Sequence, residues 1–297
     1  MSRNSNAREL VIEAFTGSIP PDYQKVSVPE IDYLLQRLPS SVTALGVSRD
    51  GEPIGLGVAH QQEQSPTAHL LALTIEERQR RQGHGRLLLR ALESSLRQNG
   101  VERLSVEYVA SSDPLSGEAA FLTTCGFAVP RPGIYIRSGS LSLLHNFLWM
   151  KKTTLPPSFA VSAWSTLTEE ERAFVKKGSG VWYPSILSPF ADEALIDPDR
   201  SLVLRYRGEV AGWMMLEAFD SQTVLFKTMF VHRRHQRMAR GAALIAEVCH
   251  RVLEEQTFQN GILFVEAENE EMVRFMNRHL QHEELQKEVL WRTVKKL

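Results

Sequence analysis

Cysteine is scarce in this chain. Cys125 and Cys249 are its only two in 297 residues. They stand in unrelated contexts, so neither a disulfide framework nor a cysteine metal site is supported, and both read as reduced, mostly buried thiols. Long apolar runs are missing as well. The longest candidate, Leu141 to Met150, is interrupted by His145 and Asn146, which excludes a membrane-spanning helix. Met1 to Arg8 is polar and has no apolar signal core. The expectation is a soluble, cytoplasmic protein with no membrane partner. An excess of one charge is absent too: 34 Lys and Arg face 35 Asp and Glu, a formal net charge of −1, with a pI near 6.8. Nucleic acid is therefore not expected as a partner. The histidines and carboxylates lack H-E-x-x-H or similar spacing, so no metal is expected. The two best-known phosphate loops are also missing: no Gly-Lys-[Ser/Thr] closes a P-loop, and no G-x-G-x-x-G occurs.

What is present is material for two packed domains: 297 residues, 43% of them hydrophobic. The chain also repeats itself once. Gly51-Glu52-Pro53-Ile54-Gly55 recurs 157 residues later as Gly208-Glu209-Val210-Ala211-Gly212. Each copy lies between strand-like runs (Val42 to Val47 and Ile54 to Ala59; Leu202 to Tyr206 and Val210 to Leu216), so each reads as a β-hairpin with a glycine turn. Arg80-x-x-Gly83-x-Gly85 returns at an offset of 156 as Gln236-x-x-Ala239-x-Gly241, and Val106-Glu107 at 159 as Val265-Glu266. Around these matches each half reads hairpin, strand, loop, helix, strand, helix: an α/β (α+β) fold with a mixed sheet. The strands before the loops are Thr67 to Ile75 and Thr223 to Val231. The helices after them carry Leu88, Leu92 and Leu96, or Leu244, Val248 and Val252, at helical spacing. Leu155-Pro156-Pro157-Ser158 breaks regular structure and places the domain boundary at 1–152 and 153–297. In Thr166-Leu167-Thr168-Glu169-Glu170-Glu171, Thr168 or Thr166 is positioned to cap a helix.

The loop carries the chemistry. A helix start offers unpaired backbone N–H groups and the positive end of a dipole. Glycines let a ligand approach the backbone. Together they make a diphosphate cradle, to which Arg78, Arg80, Arg81 and Arg86 add positive charge. His232-Arg233-Arg234-His235-Gln236-Arg237 is the basic counterpart in the second half; a solvated loop is the alternative there. His60 and His84 read most simply as surface or edge residues.

A [Arg/Gln]-x-x-[Gly/Ala]-x-[Gly/Ala] loop after a strand and a hairpin resembles the GNAT superfamily of acyl-CoA-dependent N-acyltransferases. The resemblance is clearest over roughly residues 40–128 and 158–281, and it implies two tandem domains, each a mixed, mostly antiparallel sheet flanked by helices. It further implies that acetyl-CoA, or another acyl-CoA, lies with its pyrophosphate on the loop. Those positions are Arg80, Arg81, Gln82, Gly83, His84, Gly85 and Arg86, and by repeat Arg237, Met238, Ala239, Arg240, Gly241 and Ala242. The pantetheine arm would run along the backbone at Leu73 and Ile75, or Met229 and Val231. Asn269 matches a family asparagine that contacts the cofactor. The implied reaction is direct attack of an amine on the thioester in a ternary complex, the acceptor being the primary amine of a small molecule.

The family's usual base is a glutamate eleven residues before the loop's first residue. Here that position is His69, an imidazole of the kind that serves as a general base but that also reads as a solvent-facing histidine at a strand start. The second half has Leu225 there. The family's tyrosine acid falls on Leu122 and Met276, so Tyr108 is the alternative. The first half has both glycines and more arginines, and it is expected to be the active one. Two other readings stay open: a non-catalytic acyl-CoA-binding or scaffold protein, and a tRNA-dependent aminoacyl transferase of the same fold.

Overall fold

Asp50 and Gly51 both take positive φ, 54° and 86°, and so do Arg207 and Gly208, 51° and 90°. Each pair forms the two-residue turn that suits the twist of a tight hairpin. These turns join β2 (Val42–Arg49) to β3 (Glu52–Gln61) and β8 (Leu202–Tyr206) to β9 (Glu209–Ala218). The computed structural model describes residues 9–62, 65–111, 117–236 and 240–297. Its chain falls into two compact units, Met1–Pro132 with Leu290–Leu297, and Gly133–Val289.

The first unit opens with β1 (Leu10–Phe15) and the short helices α1 (Pro21–Gln24) and α2 (Asp32–Leu35). After the β2–β3 hairpin come β4 (Thr67–Ile75), α3 (His84–Gln98), β5 (Arg103–Ser111) and α4 (Gly117–Thr124). Strands β1 to β4 run antiparallel in sequence, and β5 is parallel to β4. Helix α3 buries Leu88, Leu89, Leu92 and Leu96 against one face of the sheet, while Tyr23, Ile31 and Leu34 cover the other.

The second unit repeats this plan. It contains β6 (Arg131–Ser140) from Gly133 onward, α5 (Leu148–Lys152), β7 (Phe159–Ala163), α6 (Glu169–Lys177), the β8–β9 hairpin, β10 (Thr223–Val231), α7 (Arg240–Glu255), β11 (Asn260–Glu266) and α8 (Glu270–His279). Strand β10 pairs antiparallel with β9 and parallel with β11, and β6 closes onto β11 antiparallel. Among the described residues, no helix is long and apolar enough to cross a membrane.

The units do not divide at residue 152. Ile134–Ser140 belongs with the second unit because it pairs in register with Asn260–Glu266. The last strand, β12 (Gln286–Lys296), ends in the first unit. There Thr293 Oγ1 donates to Ala128 O, Ala128 N to Val294 O, and Leu297 N to Glu102 O. Arg292 pairs with Glu107 at 2.9 Å, and Lys295 reaches the buried Glu93 at 2.6 Å. Alternation of buried Val289, Trp291 and Thr293 with more exposed neighbours is the period-2 pattern of such a strand.

The repeat extends to irregularities that spacing alone does not reveal. Ile54 interrupts the β2–β3 register and Ala211 the β8–β9 register; Leu71 bulges from β4 and Lys227 from β10. A second glycine in each hairpin has a separate reason. A Cβ on Gly55 would sit 2.6 Å from the backbone carbonyl O of Thr74, and one on Gly212 would overlap the carbonyl O of Phe230. Backbone cannot yield without moving a strand. Gly55→Ala is therefore expected to cost about 1–3 kcal/mol, read as a lower urea midpoint at unchanged m-value.

Thr168 caps α6 in a reciprocal box with Glu171: Glu171 N donates to Thr168 Oγ1 at 3.2 Å, and Thr168 N to Glu171 Oε2 at 3.0 Å. Arg205 grips the same carboxylate with Nε at 2.6 Å and Nη2 at 2.9 Å. These Arg205 hydrogen bonds hold Glu171 below the ordinary carboxylate range. A depressed acid stabilises the fold above its unfolded value and loses that contribution as pH falls through the folded one. Glu171→Gln is thus expected to lose about 1.5–3 kcal/mol at pH 7, and the gap should close below about pH 4.3. Urea melts of both proteins at pH 7 and at low pH check this.

Candidate active site

Strands β4 and β5 pair only over Thr67–Leu70 and Arg103–Val106. Leu71 bulges immediately afterwards, and the bulge changes which residues face which side. Ala68 and Leu70 before it, and Leu73 and Ile75 after it, all face the α3 core, while Leu71 and Ala72 face the α1–α2 side. Beyond Leu70, β4 pairs on one side only, with β3. Its other edge has parted from β5 there. Leu73 and Ile75 lie on that stretch, so they offer backbone rather than side chain to it.

The loop between β4 and α3 is held from both ends. Arg80 Nε donates to Ile75 O at 2.9 Å. Arg49 Nη1 reaches Gln79 Oε1 at 3.0 Å and Gln82 Oε1 at 3.1 Å, and Gln82 Nε2 donates to Arg78 O. Arg81 and Gly83 take positive φ, 62° and 89°. Gly83 is the N-cap of α3 and, lacking a side chain, cannot satisfy the first N–H groups. Gly85 is a glycine without a local need: its φ is ordinary, and a Cβ would meet Ile75 and Phe121 at 3.6 Å. Arg81, Gln82 and Arg86 are exposed around it. His84 differs from the surface residue expected from sequence. The first turn of α3 carries it inward to 7% exposure, where its Nε2 has no partner. A buried polar atom without a partner at an open helix start fits an anionic ligand.

His69 lies two residues before the bulge, on the sheet face opposite Ala68 and Leu70. It lines a cavity of ≈ 340 Å³ with Ser105, Glu107, Arg131, Arg292 and Val129. Ser105 Oγ contacts His69 Nδ1 at 2.6 Å and donates to Ala68 O at 3.2 Å. If the hydroxyl's one proton goes to the carbonyl, the hydroxyl accepts from Nδ1–H. That tautomer leaves Nε2 with a lone pair. Tyr108 points the other way and packs against the core cluster that also holds Leu73, Ile75 and Phe121. The structure therefore does not bring His69 and Tyr108 into one pocket; they stand on opposite faces of the sheet. Ser105, Arg131 and Arg292 escaped the sequence reading. The alternation around Trp291 could have located Arg292, whereas Ser105 becomes visible only through strand register.

The second unit repeats the frame but not the side chains. Gln236 Nε2 donates to Val231 O at 2.9 Å, as Arg80 does to Ile75 O. Strands β10 and β11 part after Phe226 and Leu263, before the bulge at Lys227. Met229 and Val231 pack toward α7. Arg240, Gly241 and Ala242 open that helix, Arg240 lying over the Phe159 ring. Arg237, Met238 and Ala239 lie outside the described residues, as does the stretch 112–116. Asn269 caps α8, accepting from Met272 N at 3.2 Å. Leu225, at the position of His69, is buried. The bulged Lys227 is tied to Glu217 at 2.6 Å and to Asp192 at 3.4 Å. Leu122 and Met276 are core residues, at 5% and 0% exposure. Trp182, Tyr183 and Phe190 join Trp164, Trp213 and Phe230 in a packed aromatic cluster.

This strand–bulge–loop–helix plan, present twice, has a family. Residues 6–127 and 163–280 each match the Acetyltransferase (GNAT) family, and the chain belongs to it. Among solved structures, the chain is similar to a tandem GNAT protein from the clavulanic acid biosynthesis pathway, with 17% identity and TM-score 0.57, over 96% of this chain and 98% of that one. It is also similar to a GCN5-related N-acetyltransferase from Sphaerobacter thermophilus, with 15% identity and TM-score 0.54, over 85% and 80%. No curated protein matches. At these identities the likeness establishes the fold: two tandem GNAT domains.

Proposed function

We propose that the chain transfers an acetyl group from acetyl-CoA to the primary amine of a small molecule, with both substrates held on the first unit. The observation that carries this reading is His69. Its ring faces a cavity beside the bulge where β4 and β5 part, and Ser105 leaves its Nε2 free to take a proton. When bound, the cofactor supplies the thioester that the amine attacks. The open N–H groups from Gly83 to Arg86 hold its diphosphate, with charge from Arg81 and Arg86. The unpaired edge of β4 after Leu70 would take the arm as an added strand does, with a backbone N–H available to the thioester carbonyl. His69 Nε2 removes the amine's proton from the cavity side. Tyr108, on the other face, supplies a proton to the departing sulfur.

The second unit acts as a non-catalytic partner, because Leu225 cannot move a proton. Calorimetry with acetyl-CoA, followed by thiol release with a panel of amines, tests the reading. Absence of binding overturns it. Binding without turnover for every amine would favour an acyl-CoA-binding role instead.

A further inference from the structure

Arg137 sits on β6 at 6% exposure. Its Nη1 donates to Ile136 O at 2.8 Å and its Nη2 reaches Asn277 Oδ1 at 3.4 Å. Its Nε is buried with no partner. Among the described residues, no carboxylate pairs with it. Guanidinium stays charged in proteins, and a buried charge without a counter-charge is strongly unfavourable. Burial accordingly lowers the affinity of Arg137 for its proton below the ordinary guanidinium value. Beside it lies a cavity of ≈ 80 Å³ inside the second unit, lined almost wholly by apolar groups that include Leu141, Phe147, Met214, Cys249 and Phe275. The cavity has room for a chain of roughly three carbons, given that ~150 Å³ accommodates the six of benzene.

A cation lacking its anion, at the wall of an apolar cavity, defines its occupant by two complementary properties. We propose that this cavity binds a small aliphatic monocarboxylate, its carboxylate on the Arg137 fork and its chain between α7 and α8. A guanidinium presents paired donors that match a carboxylate, and Nη1 and Nη2 each keep a second N–H beyond the bonds to Ile136 O and Asn277 Oδ1. The site is separate from the acyl-transfer machinery: His69, the loop Arg80–Arg86 and their cavity belong to the other unit.

The test is thermal melting of the full chain with sodium acetate, butyrate, valerate and octanoate, against 1-butanol and 1-pentanol in sodium chloride of equal ionic strength. Saturation-transfer NMR on butyrate reads binding directly. Butyrate and valerate are expected to raise the midpoint by a few degrees in a saturable way, with acetate and octanoate weaker and the alcohols without effect. Arg137→Met should abolish the shift. Cys249→Met, which fills the cavity and keeps the arginine, should abolish it too, and this decides the matter if Arg137→Met does not fold. Equal effects of alcohols and carboxylates, a shift retained in either variant, or no shift with any carboxylate would overturn the proposal.

Discussion

Gly85→Glu is expected to abolish acetyl-CoA binding and, with it, acyl transfer. The variant puts a carboxylate on the second residue of α3, where the open N–H groups are to meet a diphosphate. Like charges forced together at an interface cost several kcal/mol, and each 1.4 kcal/mol is tenfold in affinity. The dissociation constant should rise on the order of 10²–10³-fold. The fold should tolerate the change. Gly85 does not need positive φ, and a Cβ there makes ordinary contacts at 3.6 Å. A glutamate in the first turn of a helix also suits the dipole. The thermal midpoint should therefore hold or rise while calorimetry loses its signal. Gly241→Glu is the paired measurement and should leave turnover near the parent value. The reverse pattern, with Gly85→Glu active and Gly241→Glu dead, would place catalysis on the second unit.

His69→Gln is expected to lower kcat by about 10²–10⁴-fold, the usual contribution of a positioned base, with the KM for acetyl-CoA unchanged. Glutamine keeps a polar group beside Ser105 but cannot take the amine's proton. Ser105→Ala should act more mildly, because it leaves the imidazole in place and only releases its tautomer and orientation. Steady-state kinetics on the best acceptor separates the two effects. If His69→Gln stays within about threefold of the parent for every acceptor, His69 is a cavity wall and the base lies elsewhere.

The frame of this protein was readable because glycine and charge leave marks at fixed spacing. Gly51 and Gly208 announce their hairpins since a tight turn demands positive φ. The loop at Gly83 and Gly85 announces a helix start. Bulges leave no such mark. Leu71 and Lys227 share a position and no chemistry, since the backbone there makes the irregularity and any side chain can ride on it. The same limit hid Ser105, whose value depends on standing opposite His69 across two strands. Strand β12 does alternate in sequence, but its destination beside β5 is a long-range pairing that no local pattern encodes. His84 read as a surface residue because a polar side chain one step into a helix usually is one; the docking of α3 turned it inward.

The placement of β12 has a consequence for how the protein is made. Arg292 and Glu107, which face each other across β5 and β12, are 185 residues apart in the chain. At synthesis rates of 5–20 residues per second, that separation is roughly ten to forty seconds. Throughout that interval β5 has left the ribosome with one edge unsealed, and a bare strand edge invites pairing with other chains. The first unit is begun early and finished late, and between those moments its own translation, rather than its thermodynamics, sets how long it is exposed.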